Sequence, residues 1–218
     1  MEIENLFDLS HTIAKDLFSG KKYPWDVLPC LKDFILCLGK TLNENYEYME
    51  DDIWIAKTAK VAEGVCLKGP LIIDNGAEIR YNAYIRGSVI IGNGAVVGNS
   101  TEIKNSLLFD GVQVPHYNYI GDSVLGYKAH FGAGAITSNV KSDKTLVTVK
   151  GDGINIPTAL KKFGAMVGDN AEIGCHAVLC PGTVIGKNTT VYPLSMVRGI
   201  IKDNSIYKDS LKIVKKEL

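Results

Sequence analysis

"IRGSVIIGNGAVVGNSTEIKNS", residues 85–106, carries a large aliphatic residue at every sixth position: Ile85, Ile91, Val97 and Ile103. Neither a helix, with 3.6 residues per turn, nor a simple strand, whose side chains alternate every two, has that period. Outward from this stretch the beat runs back through Ile79, Ile73, Leu67, Val61 and Ile55 and forward to Phe109. Small or aliphatic residues follow four positions after most of these, at Ala59, Val65, Leu71, Ala77, Ala83, Val89 and Ala95. A second run resumes at Val167 and continues through Ile173, Leu179, Ile185, Val191 and Val197. Internal repeats of six residues point to an all-β fold, a parallel β-helix in which each unit is one short strand plus a bend and three units close a coil of eighteen. The count gives about seven coils, and a parallel-strand spacing of ~4.8 Å makes the prism about 30 Å long.

The flanks obey other rules. In residues 1–50, Leu6, Leu9, Ile13 and Leu17, and then Val27, Leu28, Leu31, Phe34, Ile35 and Leu38, keep the three-to-four spacing of two short amphipathic helices. They are expected to cap the first turn of the prism, which spans 51–205, while the tail 206–218 covers its other end. Residues 138–162, "SNVKSDKTLVTVKGDGINIPTALKK", fit no hexad and are expected to project as a loop with a short strand at 145–149.

Composition sets bounds on partners. With 24 acidic and 24 basic residues the formal net charge is zero, so no overall field favours nucleic acid or an anionic membrane. The five cysteines, at 30, 37, 66, 175 and 180, form no C-x-x-C pair and read as reduced thiols. Met1–Lys15 lacks the basic and apolar regions of a secretory leader, and no apolar run approaches the ~18 residues that span a bilayer, so a cytoplasmic protein is expected.

Arg86 and Lys104 are eighteen residues apart, which puts them at equivalent outward positions on adjacent rungs. Two cations ~5 Å apart repel by about 3 kcal/mol at an effective dielectric of ~20. Glu102, on the same side of its strand as Lys104, offsets part of this, and a phosphate group or simply solvent supplies the rest. Near "VPHYNYIGDSV", residues 114–124, the beat through Phe109, Pro115, Ile120 and Leu125 runs six, five, five. A winding one residue short aims a side chain differently from its neighbours, and His116 stands at that place.

Residues 86–144 resemble the left-handed β-helix acetyltransferase domain of the bifunctional N-acetylglucosamine-1-phosphate uridylyltransferases and related sugar-1-phosphate nucleotidylyltransferases. The resemblance lies in "IRGSVIIGNGAVVGNSTEIKNS", "HYNYIGDSVLG" and "GAGAITSN", in that order. It also extends to "KKFGAMVGDNAEIGCHAVLCPGTVIG". It implies the left-handed winding, a homotrimer with sites between subunits, and acetyl transfer from acetyl-CoA to an amino-sugar 1-phosphate. The nucleotidyltransferase domain is expected to be absent, since the residues before the repeats hold no glycine-rich nucleotide loop.

Carried over residue by residue, the resemblance makes His116 the general base and Arg86, Glu102, Lys104, Tyr119 and His130 contacts of the sugar phosphate. Ala133, Asn139, Lys144 and Ala165 fall at positions that meet acetyl-CoA, and the glycines at 132 and 134 are expected to bring backbone N–H groups to the thioester carbonyl. The chain departs from the family pattern in three places. His130 stands where the family has asparagine, "VKSD" where it has tyrosine, aspartate and glycine, and Ala165 where it has serine.

Two other functions fit the same prism. A zinc carbonic anhydrase needs histidines at ligand spacing, and those at 11, 116, 130 and 176 show no such pair, so no metal is expected. A non-catalytic scaffold or regulatory subunit of a sugar nucleotidylyltransferase predicts that acetyl-CoA is not bound.

Overall fold

The computed structural model describes residues 2–151 and 153–216. From Ile53 onward the chain winds as a parallel β-solenoid with three flat faces. Strands of the first face begin at Ile53, Leu71, Val89, Ser106, Val124, Ala165, Thr183 and Ile200. Those of the second begin at Lys60, Glu78, Val96, Gln113, His130, Glu172, Thr190 and Ser205, and those of the third at Cys66, Tyr84, Glu102, Tyr119, Ile136, Val178 and Met196. Seven complete coils and part of an eighth result, the left-handed hexapeptide-repeat β-helix that the resemblance implies. No helix among the described residues is long and apolar enough to cross a membrane.

The beat holds through Ile103 and then departs from the expected register. The interior column of the first face runs Ile73, Ile91, Leu108, Leu125 and Val167, so Leu108 and not Phe109 points inward. On the second face Val114, paired with Val97, takes the place assigned to Pro115. The five-residue steps are therefore Ile103 to Leu108 and Ile120 to Leu125, both at the corner from the third face to the first. Neither lies at His116. The physical reason is packing outside the prism: Phe109 leaves the interior column and sets its ring 5.2 Å from Phe7 and 6.0 Å from Phe18.

The N-terminal segment is likewise rearranged. Only Leu31–Gly39 is α-helical, and the stretch before it breaks into 3-10 turns at Leu9–His11, Lys15–Phe18 and Pro24–Cys30. Asp8 closes the first turn by accepting the Ser10 N–H at 3.0 Å, and Pro24 and Pro29 interrupt the α-helical ladder. Among the described residues only Tyr46–Met49 caps the first coil, by pairing antiparallel with Ile53–Ala56 at its edge, and most of the segment lies along the first face. Its helix packs on the strands Leu71–Ile73 and Val89–Ile91, Trp25 meets Phe163 at 5.8 Å, and Asp8 N–H donates to Asp169 at 2.8 Å.

That placement follows from a column the hexad count overlooks. Trp54, Ile72, Ile90, Leu107, Val124, Met166 and Val184 stand in register between the inward residues of the first face and so point out of the prism. All are apolar and all are buried under the N-terminal segment or its neighbours. Burial of such side chains contributes ~1.5–3 kcal/mol each, and this draws the segment sideways.

Residues 138–162 also fold back. Thr148–Gly151 and Ile154–Pro157 form an antiparallel hairpin, with Val147 and Val149 buried and Val147 against Gly182. At the far end Ser205–Asp209 pairs antiparallel with Lys212–Lys215. Residues 217 and 218 of the tail lie outside the described residues.

Candidate active site

On the third face the parallel register brings five expected residues, Arg86, Glu102, Lys104, Tyr119 and Asn139, into two adjoining polar clusters. Tyr84, Glu102 and Tyr119 stack on successive rungs, with Arg86 beside Lys104 two residues further on. Arg86 Nη1 donates to Glu102 Oε1 at 2.7 Å, and this bond, together with the carboxylate charge, holds the guanidinium pKa above its usual value. Lys104 does not share Glu102. Its Nζ lies 3.5 Å from Asp122 Oδ2, a carboxylate with only 5% of its side chain exposed.

Asp122 organises this corner, and the sequence reading passed over it. It sits at a five-residue step with φ of +48°, and its two oxygens accept from Asn105 Nδ2 at 2.8 Å and Asn139 Nδ2 at 2.5 Å. Asn139 also donates to the Tyr119 hydroxyl at 3.2 Å. Gly121 makes the meeting possible, because a Cβ there would stand 2.7 Å from that hydroxyl and 2.8 Å from the Asn139 amide. Burial pushes the Tyr119 phenol up from its ordinary value, with Asp122 and Glu102 adding to the shift against the Asn139 bond. The spacing of eighteen that joins Arg86 to Lys104 does not find Asp122, because the next coil is one residue short: Lys104 pairs in register with Gly121, and Asp122 stands one residue beyond.

The next corner, between the third and second faces, carries His116. Gly98 lets it close, since a Cβ there would stand 1.5 Å from the Pro115 carbonyl oxygen of the following coil. Tyr117 takes φ of +52°, and the buried Asn118 locks the bend. Its Oδ1 accepts the His116 N–H at 3.0 Å, while its Nδ2 donates to the carbonyls of Gly132 and Ala135, both at 2.9 Å. His116 is thus exposed at a regular bend, paired in register with Asn99, and needs no slip of the winding.

Beside it lies a groove of about 480 Å³ lined by Arg80, His116, His130, Gly132, Ala133 and Cys175, among others. His130 pairs in register with Gln113 and Glu172, and its Nδ1 lies 2.7 Å from Glu172 Oε2. The backbone donors differ from expectation. Gly132 N–H is used by Ile173 and Gly134 N–H by the His116 carbonyl, whereas Ala133 and Cys175 between and beyond them have no acceptor among the described residues.

The structure therefore gathers Arg86, Glu102, Lys104, Tyr119 and Asn139 on the third face, and His116, His130 and Ala133 around the groove. Ala165 is a correction. It is 0% exposed inside the solenoid with its N–H bound to Ser123 Oγ, so it offers nothing to a ligand, and the groove residue next after Ala133 is Cys175. Lys144 is exposed with φ of +56° on the loop and does not line the groove. A second cavity, about 420 Å³, opens under that loop on the third face. It is bordered by Ser138, Lys141, Thr148, Lys150 and Arg198, and neither Lys150 nor Arg198 has an acidic partner among the described residues. No group of three or more ligating side chains able to hold a metal occurs among the described residues.

Comparison with known proteins agrees with this architecture. The family described as GMPPB C-terminal domain matches residues 67–167. A protein named Bifunctional protein GlmU from Methanococcus vannielii is 34% identical over 200 residues, covering 88% of this chain and 47% of the relative. A Bifunctional sugar-1-phosphate nucleotidylyltransferase/acetyltransferase from Sulfurisphaera tokodaii is 29% identical over 178 residues, covering 73% of this chain and 44% of the relative. Among solved structures, the polySia specific acetyltransferase NeuO shares the fold with a TM-score of 0.50 at 12% identity, over 72% of this chain and 80% of that one. The chain spans about half the length of the curated relatives it matches. By repeat, fold and sequence it is a hexapeptide-repeat β-helix homologous to the C-terminal part of the proteins named GlmU and of the related sugar-1-phosphate nucleotidylyltransferase/acetyltransferases.

Proposed function

We propose that the chain is an acetyl-CoA-dependent N-acetyltransferase acting on an amino-sugar 1-phosphate, of the glucosamine 1-phosphate kind, in nucleotide-sugar synthesis. The observation that carries this is a juxtaposition: a paired cation ladder, Arg86 and Lys104, lies one corner away from an exposed imidazole, His116, on a groove with unclaimed N–H groups. The names of the M. vannielii and S. tokodaii relatives support the same class of chemistry.

In this reading Arg86 and Lys104 take the sugar phosphate, with Glu102 and Asp122 holding them in place, and Tyr119 packs against the sugar. His116 accepts the amine proton as the nitrogen attacks the thioester carbonyl. The Ala133 N–H, joined by that of Cys175, donates to the oxygen on which charge develops. Asn139 stands between Ser138 and Val140, which line the cavity under the loop that carries Lys144; Lys141 there is paired with Asp143, and the charge of Lys150 and Arg198 suits the phosphates of the acetyl donor. The groove is open on one side, and a homotrimer in which a neighbouring subunit closes it completes the site. A cytoplasmic setting agrees with the free cysteines at 30, 37, 66, 175 and 180.

Thiol release from acetyl-CoA, measured across a panel of amino-sugar phosphates, tests the reading. Wild type is expected to acetylate at least one amine, and His116→Ala to be slower by ~10²- to 10⁴-fold with unchanged folding. If no amine accepts acetyl, or the alanine variant keeps pace, the catalytic reading fails. Failure to bind acetyl-CoA at all leaves the non-catalytic scaffold.

A further inference from the structure

The groove holds two imidazoles, and they are not equivalent. The His116 side chain has no hydrogen-bond partner among the described residues, whereas the His130 ring is held by Glu172 at 2.7 Å. A ring nitrogen bound to a carboxylate fixes the tautomer and leaves the other nitrogen as the working atom. His130 Nδ1 faces Glu172, so Nε2 is the atom free to act.

Their positions differ as well. His130 neighbours Gln113 across the rungs, and His116 lies three residues further along the strand from Gln113. At ~3.3 Å per residue the two imidazoles therefore rise from points on the order of 10 Å apart, with Gly132 and Ala133 between them. The Arg86–Lys104 ladder lies beyond His116, on the third face. A sugar anchored there by its phosphate brings its amine to His116 first. The Ala133 N–H assigned above to the thioester oxygen lies in the groove between the two rings, so His130 stands across the reacting carbonyl from His116.

We propose that His130 is a second catalytic residue, the general acid that protonates the departing thiolate, and that Glu172 is the positioning residue that holds its Nδ1–H. This rests on the acetyltransferase reading above and adds a proton donor to it. As the C–N bond forms, His116 takes the proton from nitrogen. As the C–S bond breaks, its electron pair goes to sulfur, and His130 Nε2–H supplies the proton that makes the free thiol. Amine and thioester thus become amide and thiol, and solvent water returns the proton from His116 to His130 between turnovers. Besides Glu172, the charged or titratable groups around His130 are Lys128, on the same wall of the second face, and Arg80, His116 and Cys175, which share the groove.

The test is the pH profile of kcat/KM for the full chain with acetyl-CoA and its amine acceptor. Wild type is expected to give a bell whose falling alkaline limb belongs to His130. His130→Asn is expected to slow the reaction ~10²-fold at neutral pH and to lose that limb, while His116→Ala loses the rising limb. Glu172→Gln is expected to lower kcat ~10-fold with KM unchanged; a half-exposed pair contributes little to folding, so circular dichroism should not change. A His130→Asn variant that keeps the bell and stays within twofold of wild type overturns the proposal and leaves the acetyltransferase reading intact. A wild type that releases no thiol overturns that reading, and this proposal with it.

Discussion

The first face and the corner at His116 are cut from the same hexads but end in opposite states. On the first face the outward column is apolar from Trp54 to Val184 and is buried, with the N-terminal segment laid across it. At the corner the outward positions are Asn99, His116, Ala133 and Cys175, and among the described residues the groove bordered by the last three stays open. A solenoid's repeats dictate only what points inward. What points outward is free to vary face by face, so one side of a single coil becomes core while another stays available for chemistry.

The largest expected effect tests the covered side. Phe109→Ala removes the ring that joins Phe7 and Phe18 to the prism and should cost about 3–5 kcal/mol, read as a lower urea midpoint. Acetyl transfer per folded molecule should not change. A matching loss of activity in the folded protein would mean that the two sides are coupled and the contrast is false.

Asp122→Asn probes the open side more finely. The amide keeps the shape of the bend but removes the charge facing Lys104, so stability should fall by about 1–2 kcal/mol. The KM for the acceptor should rise about tenfold while kcat stays within twofold, since a tenfold change corresponds to ~1.4 kcal/mol of binding. A fall in kcat with unchanged KM would assign Asp122 to the chemistry instead of the recognition of phosphate.

Tyr119 provides the smallest effect, and its sign follows from burial. Its phenol is raised, so the folded state favours the neutral form. That contribution is complete below the usual phenol value of ~10 and is lost as pH climbs past it toward the folded value. Between about pH 9 and about pH 11 the urea midpoint of wild type should decline, and Tyr119→Phe should flatten part of the decline, by less than ~1 kcal/mol. Tyr46 and Tyr207, raised by burial in the same way, account for the remainder. No flattening would show that the Tyr119–Asn139–Asp122 network is open to water.

Legibility in the sequence tracked locality. A period of six announces a prism because every sixth residue must enter the same narrow interior, and a spacing of eighteen puts Arg86 beside Lys104 without any coordinates. The slip was readable but misplaced: Phe109 is as apolar as Leu108, and hydrophobicity alone does not say which of two neighbours faces in. Ala165 failed for a similar reason, because the inserted hairpin hides how the count resumes, and Cys175 takes the place beside Ala133.

From the repeat alone came the coil, its interior column as far as Ile103 and the pairing of Arg86 with Lys104, all consequences of a period that acts over a few neighbours, while the candidate base came from the family resemblance. Tertiary structure alone decided that the N-terminal segment lies along one face, that Asp122 on the next coil and not Glu102 holds Lys104, and that Glu172 reaches His130 across 42 positions. These last are contacts between distant stretches, and they are chosen by which exposed apolar column must be covered and which buried charge must find a partner.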